Sequence, residues 1–541
     1  MKELKKLNID ELTTRQKLGM TMVGHIYNFE DYGINDPEAM AADAEYVYEL
    51  IRNHSLGAVW IDTVHPQFEE VMKKVHEIAD YPILIMRDAE FGLNHEGKMI
   101  TTRNAIGVVD DTEIAYSVGK STAICARKQG FNVVCNPVVD MCDGNAVCNS
   151  TGRSLGSDKY KVTRLAAAEA QGMKDAGVLT VVKHYPSSKS GNSMIDGHMA
   201  SVLSTQSKED LIENSLYPYI ELNNQGLMDG IMVGHSIIPS VDPEYPASLS
   251  QKVIGLIREQ GFDGFAVTDA MTMMGIASKF GAGRAKALAV ANGNDLSLIW
   301  HDNKESYEAI CEAYDEGVIT DERLDEATRR VLEAQAKTMV EPKFSELTEE
   351  DMEKCEASNR DSVFAKTDEG LTTGIDTNGK HFFVVLAENE VGLNNEGELY
   401  ADTFQGGWHS VGSIVKKLED MFPNSCCRII NNFPTPIQTL RVLEDSVEYD
   451  DVVYITFVDA GPCIGKECFT SRIIDTITGL QITDRVSTVV HFGNPYAIED
   501  LPHIPRVIIG TASRKGVDYT LDVLAGKYPA KGKLTYDVKF N

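Results

Sequence analysis

Eight short apolar runs, separated by stretches of helical periodicity, fill the first 340 residues and restrict the fold more than any other feature. They are Met20 to Ile26, Gly57 to Ile61, Pro82 to Met86, Asn132 to Val139, Val178 to Val182, Gly230 to Val233, Gly264 to Thr268 and Asp295 to Trp300. Runs that are apolar on both faces read as strands buried on both sides, and strands alternating with helices read as a parallel sheet wrapped by helices. The helical signals lie between them, at Asp36 to Asn53, Asp111 to Gln129, Lys159 to Ala176, Ser207 to Asn223 and Ser250 to Gln260. A (β/α)8 barrel is the simplest closure.

Strand after strand ends in a polar or charged residue: His25, Asp62, Asp88, Asp140, Lys183 with His184, His235, Asp269 and His301. Any one of these is what a chain shows on leaving its core. The C-terminal strand ends of a barrel share one face, however, so the set as a whole predicts a single polar pocket.

From about Thr338 the chain becomes charged and loses apolar periodicity, which predicts a solvated connector with one helix. Beyond it, His381 to Leu386, Cys427 to Asn431, Asp451 to Val458, Val486 to Phe492 and Arg506 to Gly510 read as strands. Helical stretches separate them at Ser410 to Met421, Ser471 to Gln481 and Arg514 to Gly526. The expected organisation is α/β throughout: a TIM-type barrel over residues 1–340, a linker over 341–379 and an α/β sandwich over 380–541. No G-x-G-x-x-G occurs in the second domain, so nothing there points to a dinucleotide.

With 43% hydrophobic and 24% charged residues the chain has the composition of a folded globular protein. Its formal charge of −30 repels phosphate backbones and anionic lipid, which disfavours nucleic acid and membranes as partners. Met1 to Leu18 lacks the apolar stretch of a secretory signal, and no run approaches a membrane span, so a cytoplasmic protein is expected. The ten cysteines form no C-x-x-C pair, as expected of reduced thiols without structural zinc. No metal or cofactor is expected.

Two motifs carry chemistry. In Gly261 to Met273 an apolar strand delivers Asp269 to its C-terminal end, partly desolvated yet reachable, as a carboxylate nucleophile at an anomeric carbon requires. The same residue could instead cap the helix that follows. Second, Lys183-His184-Tyr185-Pro186 is followed by a polar loop ending in Asp196-Gly197-His198. An Asp two residues before a His can fix the imidazole tautomer and raise its basicity, although a surface turn would look the same. Gly152-Arg153-Ser154-Leu155-Gly156 matches the nucleophile-elbow pattern but follows a polar loop instead of a strand.

These residues resemble glycoside hydrolase family three, and within it the bacterial β-N-acetylglucosaminidase branch. The resemblance rests on Leu12 to Gly24, Pro82 to Gly92, Asn132 to Asp140, Gly152 to Gly156, Lys183 to Pro186, Met232 to His235 and Gly261 to Ile276. In the second domain, Phe492 to Ala497, Ala525 to Lys527 and Gly532 to Leu534 match too. It implies a retaining β-N-acetylhexosaminidase in which Asp269 forms a covalent glycosyl-enzyme and His198, held by Asp196, is the acid/base. It further implies that Asp88, Arg153, Lys183 and His184 bind the hydroxyls of the −1 sugar. Asp140 and His235 fall on family motifs near the pocket, either as ligand contacts or as structural groups.

Three departures stand out. The loop after Lys183 reads KHYPSSKSG where the branch has K-H-F-P-G-H-G, Arg87 to Gly92 (RDAEFG) replaces D-Q-E-G-G, and Gly197 stands where the dyad loop has a serine. Other readings stay open: a family-three enzyme for another β-linked sugar such as a β-glucoside, a sugar-binding protein that has lost turnover, or an unrelated activity in the same barrel. An imidazole acid/base also carries no negative charge when neutral, which would let phosphate compete with water for the intermediate.

Overall fold

The computed structural model describes residues 4–26, 37–63, 65, 67–142, 150–189, 196–298, 303–387, 392–393, 399–400, 410–458 and 468–541. It divides into two compact units. The first comprises Met1–Met99, Ala115–Met141 and Val162–Met352, and the second Ile100–Ile114, Cys142–Lys161 and Glu353–Asn541.

The first unit holds eight parallel strands: β1 (Met22–Ile26), β2 (Ala58–Ile61), β3 (Leu84–Arg87), β4 (Val133–Val134), β5 (Leu179–Tyr185), β6 (Gly230–Val233), β7 (Phe265–Thr268) and β8 (Ser297–Leu298). Their order is β8-β1-β2-β3-β4-β5-β6-β7, and a parallel bridge between Val267 and Leu296 returns β8 to β7. The sheet is therefore a closed (β/α)8 barrel, each strand at the expected place.

Two-residue alternation sorts the strand side chains. Ala58, Trp60, Leu84, Met86, Val181, Met232 and Val267 fill the inside of the ring. Val59, Ile61, Ile83 and Ile85 pack outward against helices such as Phe68–Ile78, through Val71 and Val75. Both faces of these strands are thus largely apolar, which is why periodicity alone revealed them.

Two strands differ from expectation. Of Asn132 to Val139, regular pairing with both neighbours is confined to Val133–Val134, because Pro137 has no N–H to give a ladder. Strand β5 runs three residues further than its apolar run, to Tyr185, and so carries Lys183 and His184 inside the barrel sheet.

In the second unit the strands are β9 (Phe364–Thr367), β10 (His381–Ala387), β11 (Cys426–Asn431), β12 (Asp451–Val458), β13 (Val486–Gly493) and β14 (Arg506–Gly510). They lie in the order β9-β14-β13-β12-β10-β11, parallel except for β9, which pairs antiparallel with β14. Helices Val411–Met421 and Arg514–Leu524 cover one face, where Phe383 and Val385 point. Helices Pro436–Asp445 and Ser471–Gln481 cover the other, with Phe382 and Val384. This is an α/β sandwich. Residues 341–379, read from sequence as a connector, contain the helix Glu349–Arg360 and the edge strand β9. No helix among the described residues is long and apolar enough to cross a membrane.

Candidate active site

Asp269 follows β7 directly, and its N–H still donates to the Val233 carbonyl of β6 at 2.9 Å, which fixes it at the C-terminal mouth of the barrel. Its carboxylate accepts one hydrogen bond among the described residues, from the Ala270 N–H at 2.8 Å. Burial pushes its pKa up, but the electrostatic influence of the facing His184, His235 and Lys183 outweighs burial and lowers it to about 2. Asp269 is therefore ionised at neutral pH with most of its acceptor capacity uncommitted.

Lys183 sits on β5 with its side chain buried, and a buried ammonium must be paired. Two carboxylates pair it: Asp88 Oδ1 at 2.5 Å and Glu90 Oε1 at 2.6 Å. Asp88 is half exposed, while Glu90 is buried. One arm of this pair of carboxylates can reach a ligand while the other stays behind as an anchor.

Next along β5 the register slips, so that Lys183 pairs with Met232 and Tyr185 with Val233, leaving His184 as the inserted residue. Such a bulge re-aims a side chain at a strand end. His184 turns Nδ1 to Asp140 Oδ2 at 2.6 Å, and its backbone N–H donates to Asp140 Oδ1 at 3.2 Å. Ser187 donates to the same Oδ1 at 2.6 Å and meets the Tyr219 hydroxyl at 2.9 Å. Burial raises the Asp140 pKa, but His184 and Ser187 together bring it below the ordinary value. Asp140 thus acts through His184, orienting its ring.

Asp196 and His198 form a compact turn. Asp196 Oδ1 accepts from the His198 N–H at 2.9 Å and from its Nδ1 at 2.7 Å, which fixes the tautomer and leaves Nε2 as the basic nitrogen. Asp196 is buried, while His198 is about a third exposed. The turn is tied to the segment after Asp269: Met274 N–H donates to the His198 carbonyl at 2.9 Å, and Ser201 Oγ donates to the Gly275 carbonyl at 2.7 Å. Gly275 permits this approach, since a Cβ there would stand 2.7 Å from the Gly197 carbonyl oxygen.

His235, expected near the ligand, serves the backbone instead. Its Nε2–H donates to the Ala270 carbonyl at 3.0 Å, and its Nδ1 accepts from Ser248 Oγ at 2.7 Å. Burial lowers its pKa despite the facing Asp269, so the ring is neutral and both nitrogens are committed. It holds the Asp269–Ala270 turn.

The structure therefore brings together Asp269, Lys183, His184 and His235, with Asp88 on the lysine and Asp140 on His184. At the ends of β1 and β2, His25 and Asp62 pair at 2.9 Å. Arg153 ends the short helix Ser150–Arg153 and belongs to the second unit. His301 lies outside the described residues. Sequence reasoning missed Glu90, Ser187, Tyr219 and Ser248. Only Glu90 left a trace, as a second acid two residues after Asp88.

The sequence profile of the Glycosyl hydrolase family 3 N terminal domain matches residues 13–334. The chain belongs to glycosyl hydrolase family 3. It is 37% identical over 314 residues to "Beta-hexosaminidase LpqI" of Mycobacterium tuberculosis, a match spanning 54% of this chain and 74% of that one. It is 28% identical over 283 residues to a "Beta-hexosaminidase" of Tolumonas auensis, covering 49% and 80%. Among solved structures, a family 3 beta-N-acetylglucosaminidase from Paenibacillus sp. str. FPU-7 superposes with a TM-score of 0.77 at 24% identity, covering 98% of this chain and all of that one. Beta-glucoside phosphorylase BglX superposes with 0.78 at 21%, covering 98% and 94%. At these identities the two structures establish the fold alone, a barrel followed by an α/β sandwich. As a family 3 member the chain is a glycoside hydrolase.

Proposed function

We propose that this family 3 hydrolase is a retaining β-N-acetylhexosaminidase acting on terminal β-linked N-acetylhexosamine. The observation that carries the mechanism is the Asp269 carboxylate, ionised and holding a single hydrogen bond among the described residues at the barrel mouth. Asp269 attacks the anomeric carbon while His198, as imidazolium, protonates the departing oxygen through Nε2. The neutral imidazole then takes a proton from water, whose oxygen displaces Asp269 and releases the sugar with retained configuration. Asp196 holds the ring through both protonation states. Asp88, Lys183 and His184 bind the sugar hydroxyls. The hexosaminidase names of the 37% and 28% identical relatives support the N-acetylhexosamine reading.

The test uses aryl β-glycosides differing only at C2 and C4, with a slowly released 5-fluoro N-acetylglucosaminyl fluoride as the trap. The peptide bearing Asp269 should gain the mass of the sugar, and the 2-acetamido glycoside should turn over fastest. An adduct on another residue would overturn the nucleophile, and preference for a plain β-glucoside the substrate. His198→Ala should slow unactivated substrates by about 10²- to 10⁴-fold and activated aryl glycosides far less in the glycosylation step.

The proposed acid/base favours a second acceptor. With an imidazole as acid/base, the deglycosylation step meets no carboxylate charge from that group, so phosphate can compete with water. Sugar 1-phosphate accumulating at high inorganic phosphate would support phosphorolysis, and its absence would restrict the enzyme to hydrolysis.

A further inference from the structure

Helix Pro436–Asp445 has strong local reasons to form: Thr435 and Gln438 make a reciprocal capping box, and Pro436 occupies the first turn. Its buried side is narrow, with Val442 alone fully inside. Its outward side is apolar. Phe433, Ile437, Leu440, Leu443 and Val447 recur three or four residues apart, the spacing of one helix face, and all are exposed, Ile437 to 71% and Val447 to 70%. Ile482, 80% exposed, lies at the end of the neighbouring helix Ser471–Gln481. That end adjoins the stripe: Thr439 meets Thr476 at 3.3 Å, and Arg485 donates to the Ser446 and Tyr449 carbonyls.

Six such side chains expose on the order of 600 Å², the upper end of what a monomer leaves to water. A stable dimer buries roughly 800 Å² on each partner. The stripe would supply about three quarters of that area, leaving the rest to its polar rim.

Strand β11 ends the sheet, with β10 its single strand neighbour among the described residues. It is half-buried where β10 is wholly buried. Arg428 on β11 pairs with Asp445 at the end of the helix, so the edge strand and the apolar stripe lie side by side. An edge strand and an exposed apolar face together are what a folded protein ordinarily hides.

We infer that this chain forms a two-fold dimer in which helix Pro436–Asp445 packs antiparallel against the same helix of a second copy, with β11 at the margin of the interface. The charges favour a second copy over other occupants. Setting Ile437 opposite Val447 of the other copy centres the axis on Val442 and brings Arg441 within a turn of the other copy's Glu444. The Arg441–Glu444 pair, 3.8 Å apart within one chain, then becomes part of a four-charge ring. The net charge of −30 works against an anionic lipid surface. It also makes the copies repel at long range, so moderate salt should tighten the dimer.

The test is sedimentation velocity and light scattering on the full chain from about 0.1 to 50 μM, a range chosen to bracket affinities of standard-sized interfaces. The wild type should show twice the chain mass of 59.6 kDa. Leu440→Glu and Ile437→Glu should weaken association at least about 100-fold, as central apolar contacts do. Arg441→Glu should weaken it about tenfold, and Arg441→Glu with Glu444→Arg should restore it. Turnover of an aryl glycoside checks that each variant is folded. Should the apolar variants fail to fold, hydrogen exchange on the wild type decides: residues 426–431 and 433–447 should exchange more slowly in concentrated than in dilute solution. A wild type that stays at 59.6 kDa throughout, a dimer indifferent to all four changes, or a monomer that floats with neutral phosphatidylcholine vesicles would each overturn the inference.

Discussion

Two aspartates stand at opposite ends of the barrel, and the protein treats them in opposite ways. Asp295, at the N-terminal end, is wholly buried and surrounded by partners: Arg258 at 2.9 Å, Arg323 at 2.5 Å, Arg330 at 3.5 Å and the Ala266 N–H at 2.9 Å. Asp269, at the C-terminal end of β7, receives one backbone N–H among the described residues, and the groups that lower its pKa act from further away. The first carboxylate has its acceptor sites filled by arginines that tie helices to strands. The second keeps its acceptor sites for a ligand while neighbouring charge keeps it ionised. An ionised group in a barrel thus shows its role through how far its hydrogen bonding is satisfied, more than through burial alone.

The largest expected effect comes from Asp269→Asn. Removing the proposed nucleophile should lower kcat by at least about 10⁵-fold, with the melting temperature lowered only modestly. Steady-state kinetics beside a thermal melt would show it, and a matching loss of stability would erase the contrast with Asp295. The converse variant, Asp295→Asn, strands three arginines and should cost about 3 to 5 kcal/mol of stability by denaturant titration, while the folded fraction keeps its turnover.

Glu90→Gln sharpens the comparison at the ligand end. With its buried anchor gone, Lys183 should fall wholly to Asp88, which is then lost to the sugar, and kcat/KM should drop about 10- to 100-fold, mostly through KM. An unchanged KM would mean that Asp88 and Lys183 hold no substrate. The smallest effect is one of pH. The Asp269 pKa is depressed from 3.8 to about 2, so its contribution to stability is complete above pH 4 and is lost as pH falls towards 2. The melting temperature of the wild type relative to Asp269→Asn should therefore hold between pH 7 and 5 and fall between 4 and 2. A change centred near pH 6 would mean the cations do not face the carboxylate.

The barrel was legible because each of its strands is buried on both sides and therefore reads as an unbroken apolar run such as Ala58 to Ile61. The same rule explains what stayed hidden. Strand β9, Phe-Ala-Lys-Thr, pairs antiparallel at an edge and is only half-buried, so no run marks it. Helix Pro436–Asp445 carries its apolar residues outward, against the expectation that periodic hydrophobicity faces a core. At the site, Asp269, Lys183 and His184 were visible as polar endings of apolar strands. Glu90 joining Lys183 and Ser187 joining Asp140 with Tyr219 depend on side chains folding back across loops, which no local pattern encodes. His235 was found for its place at a strand end, yet its two hydrogen bonds show that it steadies the backbone.

The knot of backbone bonds joining Asp196–Ser201 to Met274 and Gly275 bears on any attempt to re-engineer this enzyme. The segment that carries the proposed proton donor and the one that follows the proposed nucleophile form a single mechanical piece. A replacement loop from a relative would need to be exchanged with its matching stretch as one cassette, since a bulkier residue at 275 would push against the Gly197 carbonyl and displace the turn that holds His198.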